Sequence, residues 1–243
     1  SEVRKVKFLT APMQEMMAFE EATKLLAKKE VNIGFSGLSD SSKLHMTFGL
    51  AEKFRNKLII TYSDMKAREI YEEYRFYERM TVSYPAKDLI FYQADIHGNE
   101  LIKERVKTLR RIVEGRPVTV VTTFDSLMTP QVPLSIWKAH ILKICKGGAI
   151  EEKNLATRLV NMGYEKNYQV EAPGQFSIRG GILDIFDLTE ENPYRIELWG
   201  DEVESIRSFD ILSQRSIEKL ESVSIYPATE LVLRSKEREE GLA

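Results

Sequence analysis

The sequence predicts an α/β protein in which a parallel-sheet domain is joined to a smaller α+β unit. Two observations carry this reading. Residues 12–122 alternate helix-period and strand-period segments, the order that builds a parallel sheet with helices on its faces. From residue 151 the order changes to one helix followed by consecutive strands, which is that of a compact α+β unit. Between them Pro130, Pro133 and the Gly147-Gly148 pair break the pattern.

Pro12 to Lys28 reads as a helix, with Met16, Phe19, Ala22, Leu25 and Leu26 recurring at three to four residues. Val31 to Phe35 reads as a strand and Ser41 to Phe54 as a helix. Lys57 to Tyr62 (KLIITY) is a second strand, after which Ser63 offers an N-cap hydroxyl to a helix through Glu73. Thr81 to Tyr84 and Val118 to Thr122 are further strands. A helix before the second of them carries Leu101, Ile102, Val106, Leu109 and Val113 on one face. After the short apolar run Ile141 to Ile144, Glu151 to Met162 forms a helix with Leu155, Leu159 and Val160 inward, ended by Gly163. Strands follow from Tyr168. The expected boundaries are 1–140, 141–226 and a final stretch, 227–243, that begins a return to the first domain.

The composition, 43% apolar and 30% charged over 243 residues, is that of a globular chain able to bury a core. No run approaches the roughly 18 apolar residues that cross a bilayer, and the amino end, SEVRKVKFL, lacks a secretory pattern, so a cytoplasmic location without membrane contact is expected. A net charge of −2 argues against a chain built chiefly to hold nucleic acid. The densest basic cluster, Lys103, Arg105, Lys107, Arg110 and Arg111, reads as a solvated helix face, with a nucleic-acid-binding module as the alternative. Cys145, the single cysteine, lies in an apolar run and reads as an inert core thiol. The three histidines have no metal-ligand spacing, so no metal site is expected.

Residues 173–227 hold the densest information. Tyr194, Ile196 and Leu198 alternate with Arg195, Glu197 and Trp199, and the period of two sends these sets to opposite faces of a strand. One set packs on a core; the other leaves an Arg and a Trp outside, the residue types that dominate protein interfaces. The competing possibility is that a neighbouring helix covers Trp199 and that Arg195 pairs with Glu197 or Asp201. Gly180-Gly181 either turns a hairpin or bulges a long strand, and in both cases re-aims Arg179, which faces out if Phe176 and Ile178 face in. Paired acids such as Asp184 with Asp201 or Glu202 could suggest hydrolysis, but carboxylates on alternating strands are usually the wet face.

Four runs in this segment, Gly174 to Phe186 (GQFSIRGGILDIF), Tyr194 to Glu202 (YRIELWGDE), Ser205 to Asp210 and Gln214 to Glu218, resemble the second domain shared by the bacterial transcription-repair coupling factors and the excision-repair helicase UvrB. That resemblance implies a domain that docks the damage-recognition ATPase UvrA. Arg179, Arg195 and Trp199 match the residues implicated in docking, with Trp199 standing where the family often has Phe. It also implies a RecA-like, P-loop NTPase-like first domain into which the smaller unit is inserted. The chain then has the look of an amino-terminal piece of a longer protein.

Residues 33–44 (IGFSGLSDSSKL) sit where a phosphate loop belongs, in the frame G-x-x-x-x-S-K-L with Gly37 and Lys43. A working loop needs Gly before the Lys and Ser or Thr after it; here Ser42 and Leu44 stand there, and Asp40 adds a repelling charge. The loop reads as a decayed nucleotide site. The resemblance agrees, since UvrB keeps this motif while the coupling factors lose it here and use ATP and magnesium in a separate motor. The connection from Pro85 to Leu101, including Phe91 and Tyr92, is also too short for the DNA-gripping hairpin of UvrB.

The expectation is thus a non-catalytic region, without a cofactor of its own, whose partner is UvrA; the remaining domains of a longer protein could mask its docking face. Little or no direct DNA binding is expected. The alternative is a UvrB-like motor fragment that binds ATP through Lys43.

Overall fold

The structure is a computed structural model that describes residues 8–28, 31–86, 96–150 and 152–232. In chain order its elements are a 3₁₀ turn Ala11–Glu15, α1 Met17–Leu26, α2 Asp40–Ala51, β1 Asn56–Thr61, α3 Asp64–Tyr77, β2 Thr81–Tyr84 and α4 Ile96–Val113. Then come β3 Val118–Thr123, α5 Phe124–Met128, α6 Leu134–Ala139, β4 Leu142–Cys145, α7 Glu152–Asn161 and β5 Glu165–Lys166. β6 Gln175–Arg179, β7 Ile182–Ile185, β8 Tyr194–Trp199, β9 Glu202–Phe209, β10 Ser216–Lys219 and β11 Ser222–Ile225 complete the order. One compact unit is drawn from Ser1–Ala86 and Gly115–Met128, the other from Lys87–Glu114 and Thr129–Ala243.

The first unit holds a parallel sheet in the order β1-β3-β2, with Leu58 and Val82 both registered on Val120 of the central strand. Ser63 caps α3 as its position predicts, its hydroxyl accepting from the Lys66 backbone N–H at 3.3 Å. Leu44, Phe48 and Tyr74 are buried together, with Ile59 of β1 and Ile70 of α3 packed on them. The strand expected at Val31 to Phe35 does not form: among the described residues these pair with no other strand, and Phe35 is exposed. An apolar run of five residues is compatible with a strand, but only a ladder of partners makes it one. The helix expected from Pro12 is likewise split, because Met16 is extended (φ −88°, ψ 123°) between the 3₁₀ turn and α1.

The second unit is built on a six-stranded sheet in the order β10-β9-β8-β7-β6-β5, antiparallel except for the β5–β6 pair, beside a two-stranded β4–β11 ladder. Its core joins the inner faces of the sheet (Phe176, Leu183, Ile185, Ile196, Ile206) to Leu155, Leu159 and Met162 of the α7 region and to Leu142, Ile144, Val223 and Ile225. Trp137 is buried in the same cluster and donates its indole N–H to the Thr229 carbonyl at 2.9 Å. Val160 points outward instead of in, since Leu159 and Met162 take the inner side of that turn.

The helix α4, read in sequence as part of 1–140, belongs to this second unit, with Val106 buried in its core and Leu109 and Val113 packed against it. Its basic cluster is only in part a solvated face: Lys107 is exposed, but Arg105 and Arg110 are not free. Arg105 is 1% exposed and ion-paired to Glu230 at 2.8 Å, and Arg110 pairs with Glu114 and Glu190 while lying 4.5 Å over the Tyr226 ring. Cys145 is exposed, because the alternation of β4 turns Leu142 and Ile144 inward and the thiol outward. The stretch 87–95, with Phe91 and Tyr92, and the charged carboxy-terminal run lie outside the described residues. Among the described residues no helix is long and apolar enough to cross a membrane.

Candidate docking face

The face of the six-stranded sheet that points away from the core is set by register. Ser177, Asp184, Arg195 and Arg207 form one row across β6, β7, β8 and β9; Arg179, Ile182, Glu197 and Ser205 form the next. Directly opposed side chains on neighbouring strands are close enough to interact. The charges on this face alternate in consequence.

Arg195 meets Asp184 in a two-pronged pair, Nε to Oδ1 at 2.6 Å and Nη2 to Oδ2 at 2.8 Å, the geometry that suits guanidinium and carboxylate best. Nη2 also donates to Oε1 of Gln214 at 2.9 Å, and the guanidinium lies 4.4 Å over the Phe209 ring. The hydrogen bond to Asp184 binds the Arg195 proton more tightly than usual. Arg179 reaches the same carboxylate from the far side, Nη2 to Oδ2 at 3.6 Å, and lies 5.2 Å over the Tyr168 ring. Asp184 is only 2% exposed, whereas the Arg179 side chain is 41% exposed. The carboxylate expected on a wet face, paired with Asp201 or Glu202, is instead buried between two arginines.

Arg207 faces Arg195 across β8–β9, and a second acid relieves that repulsion. Glu197 accepts from Arg207 at 2.7 Å and from the Ser205 hydroxyl at 2.6 Å, hydrogen bonds that hold its carboxyl below the usual carboxylate range. Gln214 adopts a left-handed backbone (φ 58°), a conformation costly for a residue with a Cβ, and in it the side chain is held between Arg195 and the Ile211 carbonyl.

Gly180-Gly181 turns a hairpin between β6 and β7. Both residues have positive φ, and a Cβ on Gly181 would stand 2.9 Å from the Leu198 carbonyl oxygen, so the hairpin can lie against the end of β8 only without a side chain there. Trp199 follows, 81% exposed, before the Gly200-Asp201 turn. No helix covers it. Arg195 pairs with neither Glu197 nor Asp201, as one sequence reading allowed, but with Asp184. Of the three residues singled out, Arg179 and Arg195 are brought together on one carboxylate and Trp199 stands at the end of the same strand as Arg195. Asp184, Gln214, Phe209 and Tyr168 complete the site. Only register could have found Asp184, since it precedes Arg195 by eleven positions.

The loop at 37–44 is organised as the start of a helix. Gly37 has φ +77°, the Ser39 hydroxyl accepts from the Ser42 backbone N–H at 3.4 Å, and Lys43 pairs with Asp40 at 3.0 Å. Lys66 reaches the same acid at 2.9 Å, and the two ammonium groups hold the Asp40 carboxyl below its usual range. Leu44 is buried against Phe48 and Tyr74. Among the described residues no cluster of three or more His, Cys, Asp or Glu side chains could hold a metal.

Residues 142–231, which contain this face, match a family model described as the UvrB interaction domain. The chain is 39% identical over 206 residues to the transcription-repair-coupling factor of Bacillus subtilis (strain 168), an overlap of 84% of this chain and 18% of that protein. It is 31% identical over 231 residues to that of Staphylococcus aureus (strain Mu50 / ATCC 700699), covering 93% of this chain and 19% of the relative. The protein of the same name in Staphylococcus haemolyticus (strain JCSC1435) is 33% identical over 208 residues, covering 83% and 18%. The chain therefore spans about a fifth of the length of these relatives, at 18–19%. Residues 142–231 thus match the UvrB interaction domain, and over most of its length the chain is similar to transcription-repair-coupling factors.

Proposed function

We propose that this chain is a non-catalytic, amino-terminal region of a coupling factor that recruits UvrA through the outer face of its six-stranded sheet. The observation that carries the reading is Trp199, 81% exposed at the end of a strand whose Arg195 is anchored beside Arg179. An aromatic ring left in water on a strand that also presents a guanidinium group is a poor surface for an isolated domain and a good one for an interface centre. In this reading the first unit is a degenerate RecA-like scaffold into which the docking domain is inserted, and the other domains of the longer, cytoplasmic protein mask the docking face when it is idle.

Calorimetric titration with UvrA tests the docking. Trp199→Ala is expected to weaken binding at least tenfold; native affinity in that variant would remove this face from the mechanism.

The scaffold is expected to use no nucleotide and to bind little DNA. Lys43 is engaged by Asp40 and Leu44 carries no metal-binding oxygen, which supports decay of the phosphate loop. Titration with ATP and magnesium should give no binding heat. Saturable heat abolished by Lys43→Ala would restore the alternative, a nucleotide-dependent motor fragment.

A further inference from the structure

Resting on the docking reading above, the geometry points to Asp184 as the positioning residue of the face: a carboxylate that never touches the partner and fixes both arginines in the arrangement the partner recognises. Three observations converge on it. Asp184 is 2% exposed, so it contributes no contact surface. It holds Arg195 through both prongs at 2.6 and 2.8 Å and stands 3.6 Å from Arg179. Aromatic rings back both guanidinium groups, Phe209 at 4.4 Å under Arg195 and Tyr168 at 5.2 Å under Arg179.

The arrangement divides the labour between the arginines. Arg195, with a side chain 17% exposed and Nε and Nη2 engaged within the domain, stiffens the site. Arg179, 41% exposed and held only at a distance, keeps hydrogen-bond donors for a partner carboxylate. Two guanidinium groups and one carboxylate leave a single positive charge at the centre; the exposed Tyr168 ring lies against Arg179, and the exposed Trp199 ring stands at the end of the strand that carries Arg195. The complementary surface is a carboxylate set among apolar side chains.

Positioning and simple attraction make opposite predictions for Asp184→Asn. If the arginines acted only through their field, removing the acid would add positive charge and raise or preserve affinity for an acidic partner. If Asp184 positions them, affinity falls although charge complementarity improves. The experiment is calorimetric titration of UvrA with the whole chain carrying Asp184→Asn, Arg195→Lys, both, or Trp199→Ala, below the melting temperature of each variant. The expected result is a tenfold or greater loss for Asp184→Asn, a similar loss for Arg195→Lys, and no further loss when the two are combined, because both break the same pair.

Unchanged or tighter binding by Asp184→Asn overturns the inference, as do additive losses in the double variant. Should Asp184→Asn fail to fold, Arg195→Lys keeps the buried charge compensated, and native affinity there overturns the inference instead. Normal binding by Trp199→Ala would sink the docking reading itself; a Trp199→Ala loss with native Asp184→Asn affinity would sink only the role given to Asp184.

Discussion

Trp199 and Arg195 stand on one strand four residues apart, yet replacing them should read out different physics. Trp199 is 81% exposed and its removal takes nothing from the core, so the loss of UvrA binding expected for Trp199→Ala should come with an unchanged melting temperature. Arg195→Ala would leave Asp184 buried and without its principal partner, a situation that costs about 1 to 3 kcal/mol of stability for an unsatisfied buried group. Weakened binding in that variant would mix a lost contact with a disturbed fold. The exposed ring is therefore the cleaner probe. The same distinction explains what could be read at this scale from sequence. Alternation alone places Arg195 and Trp199 outside, but nothing local shows that a carboxylate eleven positions earlier lies opposite Arg195 in the sheet.

At the scale of elements, legibility followed locality. Ser63 before a helix and KLIITY as a strand are decided by their own neighbours, and both form as expected. Val31 to Phe35 has the composition of a strand but no partner among the described residues, and pairing is not a property of five residues. The basic side of α4 misleads for a related reason, since the acid that buries Arg105 is Glu230, 125 residues later. The β8–β9 hairpin makes a prediction of its own through Glu197. Hydrogen bonds from Ser205 and Arg207 lower its folded pKa below 4.5, so the folded state binds that proton less tightly than the unfolded chain. Its stabilising contribution is present above about pH 4.5 and is lost as pH falls through the lower folded value. The groups are partly exposed, which limits the effect to about 0.2 to 1 kcal/mol. Denaturant unfolding of wild type and Glu197→Gln should show a stability difference near neutral pH that shrinks below about pH 4.5. The comparison with Glu197→Gln is needed because Asp187, whose carboxyl burial pushes up, works in the opposite sense. A difference independent of pH would mean that the hydrogen bonds from Ser205 and Arg207 do not favour the ionised carboxylate.

Across the whole molecule the apolar residues are divided unequally. The second unit gathers both of its sheets, α7 and one side of α4 around a single continuous core in which Phe176, Leu183, Ile185, Leu159, Met162 and Ile196 are fully buried. The described residues of the first unit form separate small clusters, around Phe19 and Met46, around Phe48 and Tyr74, and around Tyr84 and Val118, while Leu58 and Ile60 of β1 stay exposed at 55% and 39%. Opening free energies follow contiguous burial, from near zero in poorly packed segments to the global value in a continuous core. The proposed docking face is thus mounted on the more firmly packed unit, as a surface that must hold two arginines in register requires. Hydrogen exchange followed by mass spectrometry should find the amides of β7, β8 and the inner side of α7 exchanging slowest, and those of β1 and β2 several orders of magnitude faster. The order should persist when the phosphate-loop region is altered by Lys43→Ala, because Lys43 lies outside the second core. Protection of β1 equal to that of β8 would show that stability is shared evenly, and would remove the mechanical reason for placing the docking site on the six-stranded sheet.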